Sequence, residues 1–308
     1  MVTMNDIDIK EGTLRRTGGL LDVLLIDRTT KKNIIWATAS YERYGNKFTS
    51  KKRIKPELVT VMYGKIIQPR AAKSLNEQHQ RTKDKAEVFT PLKIVKRMNK
   101  LVDSAIKYPL DKNNWKRFVK ELKLEITCGE APFIVSRYDP IAHTGKLIKL
   151  GSRVGFLDKK LKTVSKYCHK KDEWLFWAKE AFKSSYGYEW QGDNVLLARE
   201  NLLYSLIDYY KDKFKRLPTL KIQEEFAKII SWNIFQMDGL KYVVPMSCHH
   251  ETRFVHGAQT LFEQLPDKVE KHECEGCKFS RATKHNGNYV KIKDWEKNKA
   301  IKFIDLLT

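Results

Sequence analysis

The chain has 308 residues, of which 42% are hydrophobic, 11% aromatic and 31% charged, too apolar a mix for a disordered polypeptide and too polar for a membrane-embedded one. No window approaches the roughly 18 consecutive apolar residues of a spanning helix, and the opening MVTMNDIDIKEG is acidic where a secretory signal needs a basic start, so a cytoplasmic protein is expected. The net charge of +22, from 59 Lys and Arg against 37 Asp and Glu, points to a polyanionic partner, nucleic acid ahead of an anionic membrane.

Leu20–Ile26 and Asn33–Ala37 are apolar runs around the polar stretch Asp27–Lys32, and they predict a β-hairpin. Residues 1–50 carry eight Lys and Arg against six Asp and Glu, whereas residues 51–100 carry fourteen against four. Lys51, Lys52, Arg53, Lys55, Arg70, Arg81 and Lys83 are therefore the expected phosphate contacts. Leu92–Ile106 has a helical apolar period, with Thr90 expected as N-cap and Pro91 as the first helical residue. Leu122–Ile126 reads as a strand ending in Thr127-Cys128-Gly129, residues 174–183 as a helix, and Tyr186–Trp190 as a second strand. Gly192-Asp193-Asn194 opens a helix in which Val195, Ala198, Leu202, Leu206 and Tyr210 recur at three- and four-residue steps. Leu220–Ile230 is a further helix before the strand Ile234–Gln236 and the turn Asp238-Gly239. Strand–turn–helix units in succession predict an α/β fold with a mainly parallel sheet.

Open parallel sheets bind ligands at the carboxyl ends of their strands. Three such ends carry an acid here: Glu125 ahead of Gly129, Glu189 after Tyr186-Gly187-Tyr188, and Asp238 after Ile234-Phe235-Gln236-Met237. An acid at the second strand accepts from a ribose diol, and one at the third can accept from an adenine amine. Together they point to an adenosyl ligand.

These residues also carry a resemblance. Ala86-Glu87-Val88-Phe89-Thr90-Pro91 resembles the motif that opens many bacterial adenine-N6 DNA methyltransferases, and Leu124–Phe133 (LEITCGEAPF) resembles their first S-adenosylmethionine motif. Tyr186–Asn201 is similar to the second motif and its helix, and Ile234–Leu240 to the third. Over nearly its whole length the chain is similar to short M-subunit-like proteins of restriction–modification systems. The resemblance implies a Rossmann-like S-adenosylmethionine-dependent methyltransferase fold that transfers a methyl group to adenine N6. Phe89, Thr90 and Pro91 would contact the methionine end of the cofactor; Glu125 and Gly129, with Cys128 beside it, would hold its amino group; Glu189 would bind the ribose and Asp238 the adenine. The partner implied is DNA, with RNA the other polynucleotide, and no membrane.

Two departures matter. Ala131 stands where the motif's second glycine is usual, followed by Pro132. More importantly, adenine methyltransferases present the target amine to an Asn/Asp/Ser-Pro-Pro-aromatic tetrapeptide, and this chain has nine prolines but no Pro-Pro pair. Ser136-Arg137-Tyr138-Asp139-Pro140 and Ser231-Trp232-Asn233-Ile234-Phe235 are the nearest substitutes, and no residue is assigned to amine activation. The alternative is thus a catalytically silent cofactor-binding or DNA-binding subunit that needs a partner for catalysis.

Five cysteines, an odd number, in a reducing compartment read as metal ligands or core residues. Cys248, Cys274, Cys277 and His285 are the best set for a tetrahedral Zn²⁺, with His249 or His250 as substitutes. Cys128 and Cys168, taken alone, read as small buried hydrophobes, and Asp158 as a strand-end surface acid. The expected organisation is a basic, nucleic-acid-contacting region over residues 1–85, a cofactor-binding core over 86–245, and a Cys/His insertion with a final basic strand segment over 246–308.

Overall fold

The computed structural model describes residues 13–85, 90–106, 108–142, 145–255 and 268–307. Leu20, Leu21, Leu24 and Leu25 are spaced for a helix and not for a strand, and all four are buried in helix α1 (Leu20–Leu25). The predicted hairpin therefore shrinks to two residues a side, β1 (Ile26–Asp27) against β2 (Lys32–Asn33). Short 3-10 turns follow between Glu42 and Ala72, leading to α2 (Leu75–Lys85), whose Ser74 and Glu77 form a reciprocal cap. Helix α3 (Leu92–Ser104) starts one residue later than expected: Pro91 is its N-cap, with no side-chain cap. Then come α4 (Trp115–Lys120), β3 (Lys123–Glu125), α5 (Phe156–Tyr167), α6 (Lys171–Lys183), β4 (Ser185–Glu189), α7 (Gly192–Phe214), α8 (Leu220–Asn233) and β5 (Ile234–Gln236). Asp158 is not at a strand end but in the first turn of α5, where its carboxylate accepts from the amides of Ser136 and Gly155.

Strands β3, β4 and β5 form a parallel sheet in that order, with Glu125 opposite Gly187 and Glu189 opposite Gln236. Helices α5 and α6 carry the chain from β3 to β4, and α7 and α8 carry it from β4 to β5. The molecule is thus mixed α/β, with a three-stranded parallel sheet among the described residues. Alternation along Ser185-Tyr186-Gly187-Tyr188-Glu189 sends side chains to opposite faces. On one face Ile234 joins the main core with α5 to α8; on the other Tyr188 and Phe235 pack against Val290, Ile292 and Phe303. That second layer comes from the C-terminal hairpin, described below.

Residues near the amino end belong to the same core. Leu14, Trp36, Phe48, Ile54 and Ile67 pack with Leu196 and Leu203 of α7, so no packing boundary falls at residue 85. Buried ion pairs reinforce this, Arg15 to Glu200 at 2.7 Å and Arg81 to Asp193 at 2.8 Å. Arg199, wholly buried, donates to the carbonyls of Leu24, Ile26, Ser231 and Ile234, and burial lowers it to about 9.

After β5 the chain forms the antiparallel pair β6 (Glu251–Val255) and β7 (Lys268–His272), the short helix α9 (Glu275–Phe279), and the hairpin β8 (Lys291–Asp294) with β9 (Lys299–Lys302). No described helix is long and apolar enough to cross a membrane.

Candidate functional site at the strand ends

The loop after β3 turns through three left-handed residues: Thr127 at φ 45°, Gly129 at φ 52° and Ala131 at φ 64°. Only glycine adopts that region freely, so the loop is held by its contacts. Glu125 accepts from the amides of Phe133 (3.3 Å) and Ile134 (3.1 Å) on the far side of the turn. Glu189, at the end of β4, accepts from Gly129 (2.9 Å) and from Gln191 (3.1 Å). One carboxylate therefore joins the first two strand-end loops. Burial pushes Glu125 well above the usual carboxylate range, opposed by its two amides and reinforced by the charge of Glu189. Burial likewise raises Glu189, against the amides of Gln191 and Gly129.

The main chain continues across the same end. Cys128 donates to the carbonyl of Tyr188, and Met237 to that of Glu189. Asp238 thus stands one residue past the sheet, its Oδ1 accepting from Leu240 (3.0 Å) and Lys241 (3.2 Å). It lines a cavity of about 300 Å³ with Trp190, Lys241, Cys248 and Cys277. Cys128 is buried, and burial followed by the charges of Glu125 and Glu189 raises its thiol well above the ordinary value. It packs in the main core at this end of the sheet. Phe89 lies outside the described residues. Thr90 and Pro91 precede α3, which is docked onto the first loop by Asn99, donating to the carbonyls of Phe133 and Val154.

Beyond Asp238 lie Cys248, Cys274, Cys277 and His285, whose ligand atoms are all within 4.8 Å of one another. Each of the three sulfurs is 3.7 Å from His285 Nδ1. A tetrahedral zinc with its usual Zn–S and Zn–N bonds sets sulfur and nitrogen about 3.5 Å apart, so the spacing fits that ion closely. The surroundings match: Asn286 N donates to Cys274 Sγ at 3.3 Å and Lys241 Nζ to Cys277 Sγ at 3.4 Å. Burial and the neighbouring thiols push Cys248 up to about 12, an electrostatic situation that a divalent cation reverses. His249 and His250 are exposed and stand outside the four-ligand set.

The expected phosphate contacts divide. Lys51, Lys52, Lys55 and Lys83 are exposed. Arg53 is half-buried and donates to the carbonyl of Asn33. Arg70 and Arg81 are buried: the first donates to Thr82 at 3.0 Å, the second pairs with Asp193, which also accepts from Tyr41 at 2.7 Å. Those two arginines brace the core and do not face a polyanion. Likewise, the nearest substitutes for the amine-activating tetrapeptide are structural. Ser136 Oγ accepts from Val154 at 2.6 Å, Arg137 binds Asn201, and the Asn233 amide donates to the carbonyls of Phe182, Lys183 and Ser185.

Several residues that shape this end carry no motif. Glu130 is buried, taking the amide of Arg70 and the hydroxyl of Tyr138, each at 2.7 Å. Gln236 holds both backbone groups of Ile35 and the carbonyl of Trp190. A polar side chain inside the otherwise apolar Ile234-Phe235-Gln236 was the available signal for it. Comparison of the chain with family models, curated proteins and solved structures finds no match in any of the three.

Proposed function

We propose that the chain is the cofactor-binding, methyltransferase-like component of a restriction–modification or defence system that methylates adenine N6 in DNA, using S-adenosylmethionine. The observation that carries this reading is the joining of Glu189 to Gly129, beside Glu125 and one residue short of Asp238, at the ends of adjacent parallel strands. The donor set suits the cofactor. Glu125 and Glu189 are buried acids whose ionised forms an ammonium and a ribose diol would stabilise, and each carboxylate oxygen retains acceptor capacity beyond its one backbone amide. When bound, the cofactor supplies the electrophilic methyl group; the chain binds and orients it. A Zn²⁺ held by Cys248, Cys274, Cys277 and His285 would fix the loop after Asp238, since Lys241 reaches from that turn to Cys277.

The fate of the tetrapeptide substitutes favours the second reading over independent turnover. Ser136, Arg137 and Asn233 are buried in structural hydrogen bonds, so a partner subunit activates the amine and this chain is silent alone. The test is transfer of label from radiolabelled S-adenosylmethionine to mixed-sequence DNA. Transfer by the full chain only when a candidate partner subunit is added supports the partner reading; transfer by the chain alone contradicts it. Failure of transfer in every combination defeats the enzymatic claim.

A further inference from the structure

Strand β3 is the outer strand of the parallel sheet: β4 pairs with it on one side, and among the described residues no strand pairs on the other. In doubly wound sheets the second half of the fold is added beside the first strand, which is this edge. One face of the edge is apolar. Leu124 within β3, Leu122 before it and Ile126 in the turn after it are 43%, 75% and 63% exposed. Leu122 and Leu124 border a groove of about 380 Å³ walled by Tyr186, Ile292 and Phe303. Lys123, on the opposite face, is tied by an ion pair to Asp103 of α3. That helix buries only Val95 and Asn99, leaving the apolar stripe Ile94, Met98, Leu101 and Val102 exposed next to a cationic stripe of Lys93, Lys96, Arg97 and Lys100.

We propose that this edge receives an extended strand from an acidic partner protein, added beside β3 and covered by α3. A strand edge selects an extended backbone through its row of N–H and C=O groups. Alternate apolar residues of the incoming strand meet Leu122, Leu124 and Ile126, and its acidic residues meet the cations of α3. Charge excludes the simplest competitor: a second copy brings its own net +22 and its own four α3 cations to the same place. Nucleic acid offers nothing to an apolar strand face.

The probe is a short labelled peptide alternating valine with glutamate, titrated by fluorescence anisotropy with the full chain and no nucleoside present. Saturable binding is expected, weakened at least about tenfold by N-methylation of alternate peptide nitrogens and by Leu124→Lys or the more exposed Ile126→Lys. Absence of saturable binding, or equal binding of the methylated peptide, overturns the proposal. So does sedimentation showing a dimer that Leu124→Lys dissolves, which would make the occupant a second copy. Because no cofactor enters the measurement, its failure leaves the cofactor reading untouched.

Discussion

Ala131 occupies a position whose backbone, at φ 64°, favours glycine. Ala131→Gly removes a left-handed strain of roughly 1 kcal/mol, partly offset by the added freedom of the unfolded chain. The expected result is a urea midpoint equal to or above wild type, while a clear fall would show that the methyl group is needed for packing. Glu125 gives a second residue-scale test. Its carboxyl is raised in the folded state, so its contribution to stability is complete below the ordinary carboxylate range and is lost as pH rises through its folded value. Unfolding free energy measured across that window should fall less steeply with pH in Glu125→Gln than in wild type. Equal slopes would place the proton elsewhere. The acids themselves were legible in the sequence because each follows an apolar β-run. Their shared loop contacts were not, since Glu189 and Gly129 are brought together only by the pairing of β3 with β4.

At the scale of elements, α7 is gripped at its first residue. Gly192 N donates to the carbonyl of Trp36, and a Cβ on Gly192 would lie 2.0 Å from the carbonyl oxygen of Ile35. Gly192→Ala therefore forces the amino-terminal segment off the helix and should cost more than about 2 kcal/mol in chemical unfolding. Gly18→Ala, with nothing within 4 Å of its Cβ, is the control, expected within about 0.5 kcal/mol. A small effect at Gly192 would contradict this packing. Helices with a steady period, such as α7 and α8, were readable from the sequence, and β5 matches its expected bounds. The failures share a cause. Leu20–Leu25 is an apolar run whose leucines favour a helix in both propensity and spacing, and the apolar period of α3 faces outward because Asn99, not the stripe, meets the first loop. Periodicity reports amphipathicity without saying which partner covers it.

For the whole molecule, charge was legible in amount and not in placement. Arg70 and Arg81 sit in the basic run yet are buried: Asp193, distant in sequence, pairs with the Arg81 guanidinium, while Arg70 gives its main-chain amide to Glu130 and its guanidinium to Thr82. The exposed Lys51, Lys52, Lys55 and Lys83 remain for a polyanion. Reversing their charges should flatten the dependence of log DNA affinity on log salt by about 0.9 for each phosphate contact removed; an unchanged slope would move the interface to another face. The four members of the Cys/His cluster could be picked out of the sequence, but its position beside Asp238 emerges only when β5 delivers that turn to the loops that carry them.

The central claim is that the acids at three neighbouring strand ends hold one nucleoside cofactor. Isothermal titration of the full chain with S-adenosylhomocysteine tests it most directly. Saturable binding at one site, lost in Glu189→Gln at a temperature where circular dichroism shows that variant still folded, is the predicted result. No binding by the wild-type chain, or the same affinity in the variant, would contradict it.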